Sequence, residues 1–144
     1  AKDFAKTMFV PLDMALLFSK VAVKPGKPVW LGRTTQAWVL GLPGNPTSAM
    51  VTARLFLAPL LCALTGQSQP PALAWRSLPL AGSIGANGER ESFIRALWRD
   101  EGLVPVGNLD SGAQLPLAHS DWLIRVPAGQ AAMVASEHVQ ALSF

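Results

Sequence analysis

"GLPGNPTSAM", residues 41 to 50, joins the apolar run Trp38-Val39-Leu40 to a long apolar stretch, and its reading decides how the first half of the chain folds. Asparagine is a preferred helix N-cap, and the proline after it biases Asn45 away from helical angles, as a cap requires. Pro46 then takes the first helical position, where its missing N–H costs nothing. The following "TSAMVTARLFLAPLLCAL" is apolar nearly all round, which predicts a helix buried on more than one side. Its length approaches a membrane span, but Arg54 near the middle and Pro59 argue against one.

Upstream, residues 4 to 18 read as a mostly apolar helix, with Pro11 marking a kink or an early break. "FSKVAVK" (18 to 24) has strand composition, with Val21 and Val23 on the face opposite Lys20, Ala22 and Lys24. "KPGK" reads as a turn, and "PVWLG" and "AWVLGL" flank the polar "RTTQ" as a hairpin. Downstream, "GQSQPP" (66 to 71) is polar, ends in two prolines and follows a helix, which makes it the expected domain boundary. Beyond it, short alternating runs such as "SFIRALW", "LVPVG" and "WLIRVPAG" are separated by Gly, Asp and Pro turns, the texture of a small β-barrel or sandwich.

With 144 residues the chain suffices for one average domain or two small ones, and each half is small for an independent domain. It does not open on methionine and starts mid-pattern, so it is expected to be a piece of something longer, its first sheet continuing upstream. Half of the residues are hydrophobic and 15% are charged, which excludes a disordered chain. The single cysteine, Cys62, excludes an intramolecular disulfide and a cysteine-based zinc site, and its apolar surroundings predict a packed thiol. With no signal peptide, a reducing cytoplasm is the expected location.

Net charge is +3, but the distribution says more than the total. Between Asp13 and Glu89 there is no acidic residue, while the same window holds Lys20, Lys24, Lys27, Arg33, Arg54 and Arg76. A long run of one sign around a turn rich in proline and glycine favours an anionic ligand by Coulomb attraction, although a basic solvated face has the same composition. Nucleic acid is a poorer match, because the basic residues are sparse and not interleaved with an aromatic stacking platform.

A strand running into a glycine turn and then a helix N-terminus is a generic anion cradle, since the first helical N–H groups are unpaired and the macrodipole is positive there. Gly44 allows close backbone approach, while Pro43 and Pro46 stiffen the loop, so little ordering entropy is lost on binding. No Gly-Lys-Ser/Thr follows, so this is not a Walker loop, and an ordinary strand-to-helix turn has the same signature. A "KPGK" turn brings the Cα atoms of Lys24 and Lys27 within about 7 Å. Lys20 and Lys24 would lie on one strand face, roughly 13 Å apart at strand rise.

"KVAVKPGKP" followed by "VLGLPGNPTSAMV" closely resembles the molybdopterin molybdenumtransferase family, which includes the matching domain of gephyrin, and the resemblance runs the length of the chain. It implies an enzyme that inserts molybdate into adenylylated molybdopterin with Mg²⁺ or a similar divalent ion, releasing AMP and molybdenum cofactor. It implies an α/β fold for residues 1–67, the end of a doubly wound molybdopterin-binding domain, followed by a small all-β barrel domain over 72–144. Family active sites form across a homodimer and use domains that this chain does not contain, so the fragment alone is expected to be inactive. No nucleic-acid or membrane partner is implied.

By position, Lys20, Lys24, Pro43 and Pro46 match family residues linked to activity or ligand binding, and Lys27, Gly44 and Asn45 lie beside them. Arg95 of "RESFIRALW" matches the family's arginine after a phenylalanine; by alternation it shares a face with Phe93 and Leu97 and would otherwise pass as a surface strand arginine. Ser111 and Gly112 match the family's Ser-Gly motif, a helix-start signal in its own right, although Leu109-Asp110 stands where the family often has Gln. Asp3 resembles the family's metal-site carboxylate. The family's upstream "GGxS" segment is absent. Glu89, Glu91 and Asp100 read as solvated turn residues, and His119 and His138 lack metal-ligand spacing. A non-catalytic scaffold or oxyanion-binding module that keeps the fold is the alternative reading.

Overall fold

A computed structural model describes residues 5–67, 73–106 and 120–144. Asp3, Ser111, Gly112, His119 and most of the expected boundary at 66–71 fall outside the described residues.

The first expectation is corrected at once. In place of a helix over 4 to 18 there is one 3₁₀ segment, Lys6–Leu12, followed by strand β1 (Ala15–Ser19). Pro11 removes a backbone donor, and Asp13 turns the chain out through a left-handed conformation at φ 48°. The apolar run "MALLF" that follows suits either period, and strand pairing decides it. β1 pairs antiparallel with β3 (Trp30–Arg33), which pairs with β4 (Trp38–Gly41), giving the order β1-β3-β4. The β3–β4 hairpin forms as expected. Thr34 closes its turn, its Oγ1 accepting from the Ala37 N–H at 2.9 Å. Trp30, 2% exposed, lies across its partner Gly41, where a Cβ would fall into the indole ring.

The strand expected over 18 to 24 is broken. Lys20 takes a left-handed φ of 68°, and only Val23–Lys24 form strand β2. Hydrogen bonds from Lys20 N to Val29 O (3.0 Å) and from Val21 N to Lys27 O (2.9 Å) fold this segment back on the "KPGK" turn instead. Lys20 and Lys24 therefore do not share one strand face.

After β4 the helix starts where the sequence says. Asn45 sits at φ −78°, ψ 125°, and its Oδ1 accepts from the Ser48 N–H at 3.1 Å. Helix α1 (Pro46–Thr52) runs through a π-turn (Ala53–Leu57) into helix α2 (Ala58–Leu64). Pro59 lacks the N–H that would close onto Leu55 O, and the widened turn just ahead of it absorbs the missing bond. The continuous 19-residue helix is long and apolar enough to cross a membrane by length and composition. Its first turns bury Thr47, Ser48, Val51 and Thr52 against protein, and the Arg54 Nε donates to Ser143 O at 2.9 Å. Burial on more than one side is not found among the described residues: Met50, Leu61 and Leu64 are about half exposed.

The second sheet comes mostly from the second half of the chain, and β2 joins it. Strands β5 (Arg76–Pro79), β6 (Glu91–Arg99), β7 (Gly102–Pro105), β8 (Trp122–Val126) and β9 (His138–Ser143) give the order β2-β6-β8-β9-β5, with β7 also on β6. The sheet curls until the Leu80–Leu103 bridge brings the end of β5 to β7, but among the described residues no continuous ladder closes it into a barrel. Nor is a doubly wound arrangement seen there: the three-stranded sheet is antiparallel, and parallel pairing is confined to the short β2–β6 ladder and the isolated Leu80–Leu103 bridge. The fold is mixed and sheet-dominated, with little helix.

Each face of β6 and β8 supplies a core. Ala96, Ile124 and Val126 join Leu80, Leu103, Val139 and others inside the curled sheet. Phe93 and Leu123, on the opposite face, pack with Val23 and Val51 from the first half of the chain. Phe93→Ala is expected to destabilise the chain by about 3 to 5 kcal/mol, as for other buried aromatic truncations. Urea unfolding followed by tryptophan fluorescence checks this, and a loss below about 1 kcal/mol would mean that the two halves do not share this core.

A cationic pocket between the two halves of the chain

The parallel β2–β6 register sets Val23 beside Glu91 and Lys24 beside Ser92. It is tied by Glu91 N to Ala22 O at 3.0 Å and by a longer contact from Arg90 Nη1 to Val23 O at 3.5 Å. The pairing sets the "KPGK" turn against the loop before β6. Between them lies a cavity of about 560 Å³, lined by Lys20, Lys24 and Lys27 on one side and by Asn87, Arg90 and Ser92 on the other.

Both walls are anchored. Gly26 holds φ +111°, and a Cβ there would stand 2.2 Å from the Thr52 methyl, so the turn is pressed onto helix α1. On the other wall the Asn87 side-chain amide donates to the carbonyls of Arg90 (2.9 Å), Val126 (3.0 Å) and Pro127 (2.7 Å). The Asn87 Oδ1 accepts from the Ser92 hydroxyl at 2.8 Å. One side chain thus fixes the loop that carries Arg90 to the ends of β6 and β8. The left-handed Lys20 is a strained conformation for a residue with a Cβ, of the kind that persists where surrounding hydrogen bonds over-determine the backbone.

Charge in the pocket is lopsided. Glu89 is the acid among its lining residues, while the neighbouring Glu91 carboxylate forms an ion pair with Arg125. Three lysines and an arginine around one cavity repel one another and favour a multiply charged anion between them.

The other expected residues stand elsewhere. Pro43, Gly44 and Asn45 form the capped loop ahead of α1 and Pro46 is its first residue, but none of the four is among the lining residues of this cavity. A Cβ on Gly44 would meet nothing within 4 Å, so the fold makes no demand for glycine there. Arg95 is not the surface arginine that alternation suggested: it is 7% exposed, because its face of β6 is the one the first half of the chain covers. Burial pulls its guanidinium below the ordinary arginine pKa. Among the described residues no three of His, Cys, Asp and Glu come together as a metal site.

Residues 77–144 match the family described as the MoeA C-terminal region (domain IV). The molybdopterin molybdenumtransferase of Synechococcus elongatus is 37% identical over 145 residues, covering 98% of this chain and 35% of that enzyme. The one from Haemophilus influenzae is 42% identical over 93 residues, covering 65% of this chain and 22% of its own length. A MoeA protein from Pyrococcus horikosii superposes with a TM-score of 0.79 at 23% identity, over 96% of this chain and 34% of that one. The resemblance to molybdopterin molybdenumtransferases is thereby borne out, and the chain spans about a third or less of these curated relatives.

Asn87, Arg90 and Ser92 were not singled out from the sequence. "NGER" looks like an ordinary turn before a strand, and only its approach to a segment more than sixty residues away makes it part of this pocket. Gly26→Ala is expected to lower stability by about 2 to 4 kcal/mol, from left-handed strain plus overlap with Thr52. Gly44→Ala should stay within about 0.5 kcal/mol of the parent or gain slightly. Denaturant midpoints of the two variants decide it; equal losses would contradict the geometry of both turns.

Proposed function

We propose that this chain is the C-terminal part of an enzyme that inserts molybdate into adenylylated molybdopterin, releasing AMP and molybdenum cofactor. The observation that carries this reading is the convergence of Lys20, Lys24 and Lys27 on one anchored cavity, in a chain whose relatives are named molybdopterin molybdenumtransferase. Molybdate and the phosphates of the pterin nucleotide are anions, and three ammoniums against a rigid wall suit them.

In this reading the lysines neutralise charge as the dithiolene sulfurs displace an oxygen of molybdate, which leaves as water, and as the phosphoanhydride joining AMP to the pterin phosphate is hydrolysed. Rate comes from positioning and electrostatics rather than from a protein nucleophile. The Pro43–Pro46 loop, with Gly44 and the Asn45 cap, would set the positive end of the helix dipole toward a second part of the substrate. Arg95, Ser111 and Gly112 remain candidates for oxyanion contact through the family resemblance, and Asp3 for the divalent ion. Residues 1–67 would complete an α/β domain with chain preceding them, residues 72–144 would form the smaller β domain, and the whole enzyme would work as a cytoplasmic homodimer.

Lys24→Ala, made in a protein extended upstream to the length of its relatives, is expected to lower cofactor formation on the order of a hundredfold, the scale of losing one oxyanion-stabilising donor. The assay is conversion of adenylylated molybdopterin with molybdate, read as AMP release. Unchanged turnover would remove the lysines from the mechanism.

A further inference from the structure

We propose that Arg90 is an oxyanion-binding residue of this pocket, contacting a phosphoryl group of a phosphoanhydride-bearing ligand from the wall opposite Lys24. The inference rests on the lysine reading above and adds to it a binding group from the second half of the chain.

Three observations carry it. Arg90 lines the same cavity as Lys20, Lys24 and Lys27, although it lies more than sixty residues away in sequence. Its backbone is set by the Asn87 amide, which bonds the Arg90 carbonyl and those of Val126 and Pro127, and its Nη1 makes one long contact to Val23 O at 3.5 Å, so the guanidinium is held at the cavity with further N–H groups left to donate. Of the two acids that flank Arg90, Glu91 is paired with Arg125, and Glu89, which lines the cavity, offsets only one of its four cations. A fourth cation placed among three lysines adds repulsion that an anion would relieve.

The ligand class follows from size and donor geometry. A cavity of about 560 Å³ lies in the range that encloses a whole small molecule rather than a single tetrahedral ion. A guanidinium offers a planar fork that matches two oxygens of one phosphoryl group, which an ammonium cannot do. Cations on both walls suit a ligand carrying two linked anionic groups, as in a diphosphate.

The test is titration of pyrophosphate into the chain at low salt without divalent metal, with tungstate as a single-centre anion in parallel. Wild type is compared with Arg90→Gln, Arg90→Lys and Lys24→Gln, the thermal midpoint of each confirming its fold. Arg90→Gln is expected to weaken pyrophosphate about tenfold or more, Arg90→Lys to recover part of the loss, and tungstate to be affected less. Pyrophosphate affinity unchanged in Arg90→Gln but lost in Lys24→Gln would overturn the Arg90 assignment and leave the lysine reading standing. The reverse pattern would support Arg90 and overturn the lysines. No binding by the wild type at millimolar pyrophosphate would overturn both, and a loss confined to tungstate would overturn the phosphoryl assignment.

Discussion

The parallel pairing of Val23 and Lys24 with Glu91 and Ser92 is the joint on which the rest of the structure depends. A ladder of two residues per strand is weak by itself, so it persists because apolar contacts surround it. Val23 and Val51 from the first half pack with Phe93 and Leu123 from the second, and Trp75, Leu55 and Phe144 close the edges of that cluster. Release from water of these side chains supplies the driving force, and the ladder converts it into a register. Slipping that register by one residue would turn Lys24 away from Ser92 and move Val23 out of the cluster.

The same joint explains the electrostatics. It covers one face of β6 and so buries Arg95, whose guanidinium is desolvated there. At the end of that strand it leaves an open cavity between two loops, and that is where the lysines and Arg90 meet. Alternation along β6 therefore has a plain consequence. Ala96 and Ile94 serve the core of the curled sheet, while Phe93 and Arg95 serve the seam between the halves.

Helix α1 contributes through its two ends. The Asn45 cap and Pro46 start it at a defined point after β4, and Thr52 near its end receives the Gly26 turn. Thr52 also returns its hydroxyl to Ser48 O at 2.8 Å, which keeps its methyl directed at the turn. The position of the "KPGK" lysines is thus tied to the helix and to β6 together. The apolar residues further along, Leu61 and Leu64, play no part in that arrangement and stay exposed.

Local chemistry was legible in the residues alone. The Asn45-Pro46 helix start, the hairpin around "RTTQ", the glycine turn at Gly26 and the short alternating strands of the second half each depend on neighbours within a few positions. The first helix was misread because "MALLF" carries no period that separates helix from strand, and its pairing partner, β3, lies across a turn. The break at Lys20 has no local signature because it is imposed by hydrogen bonds from the Lys20 and Val21 N–H groups to the carbonyls of Val29 and Lys27 rather than by lysine itself. What the sequence by itself determined were the caps, the turns and a run of positive charge seeking an anion. Tertiary structure alone decided which charges share a cavity, that Arg90 is among them and that Arg95 is buried. Those outcomes depend on β2 meeting β6 across more than sixty residues of chain, and such a contact is selected by the packing of a whole core and not by any local propensity.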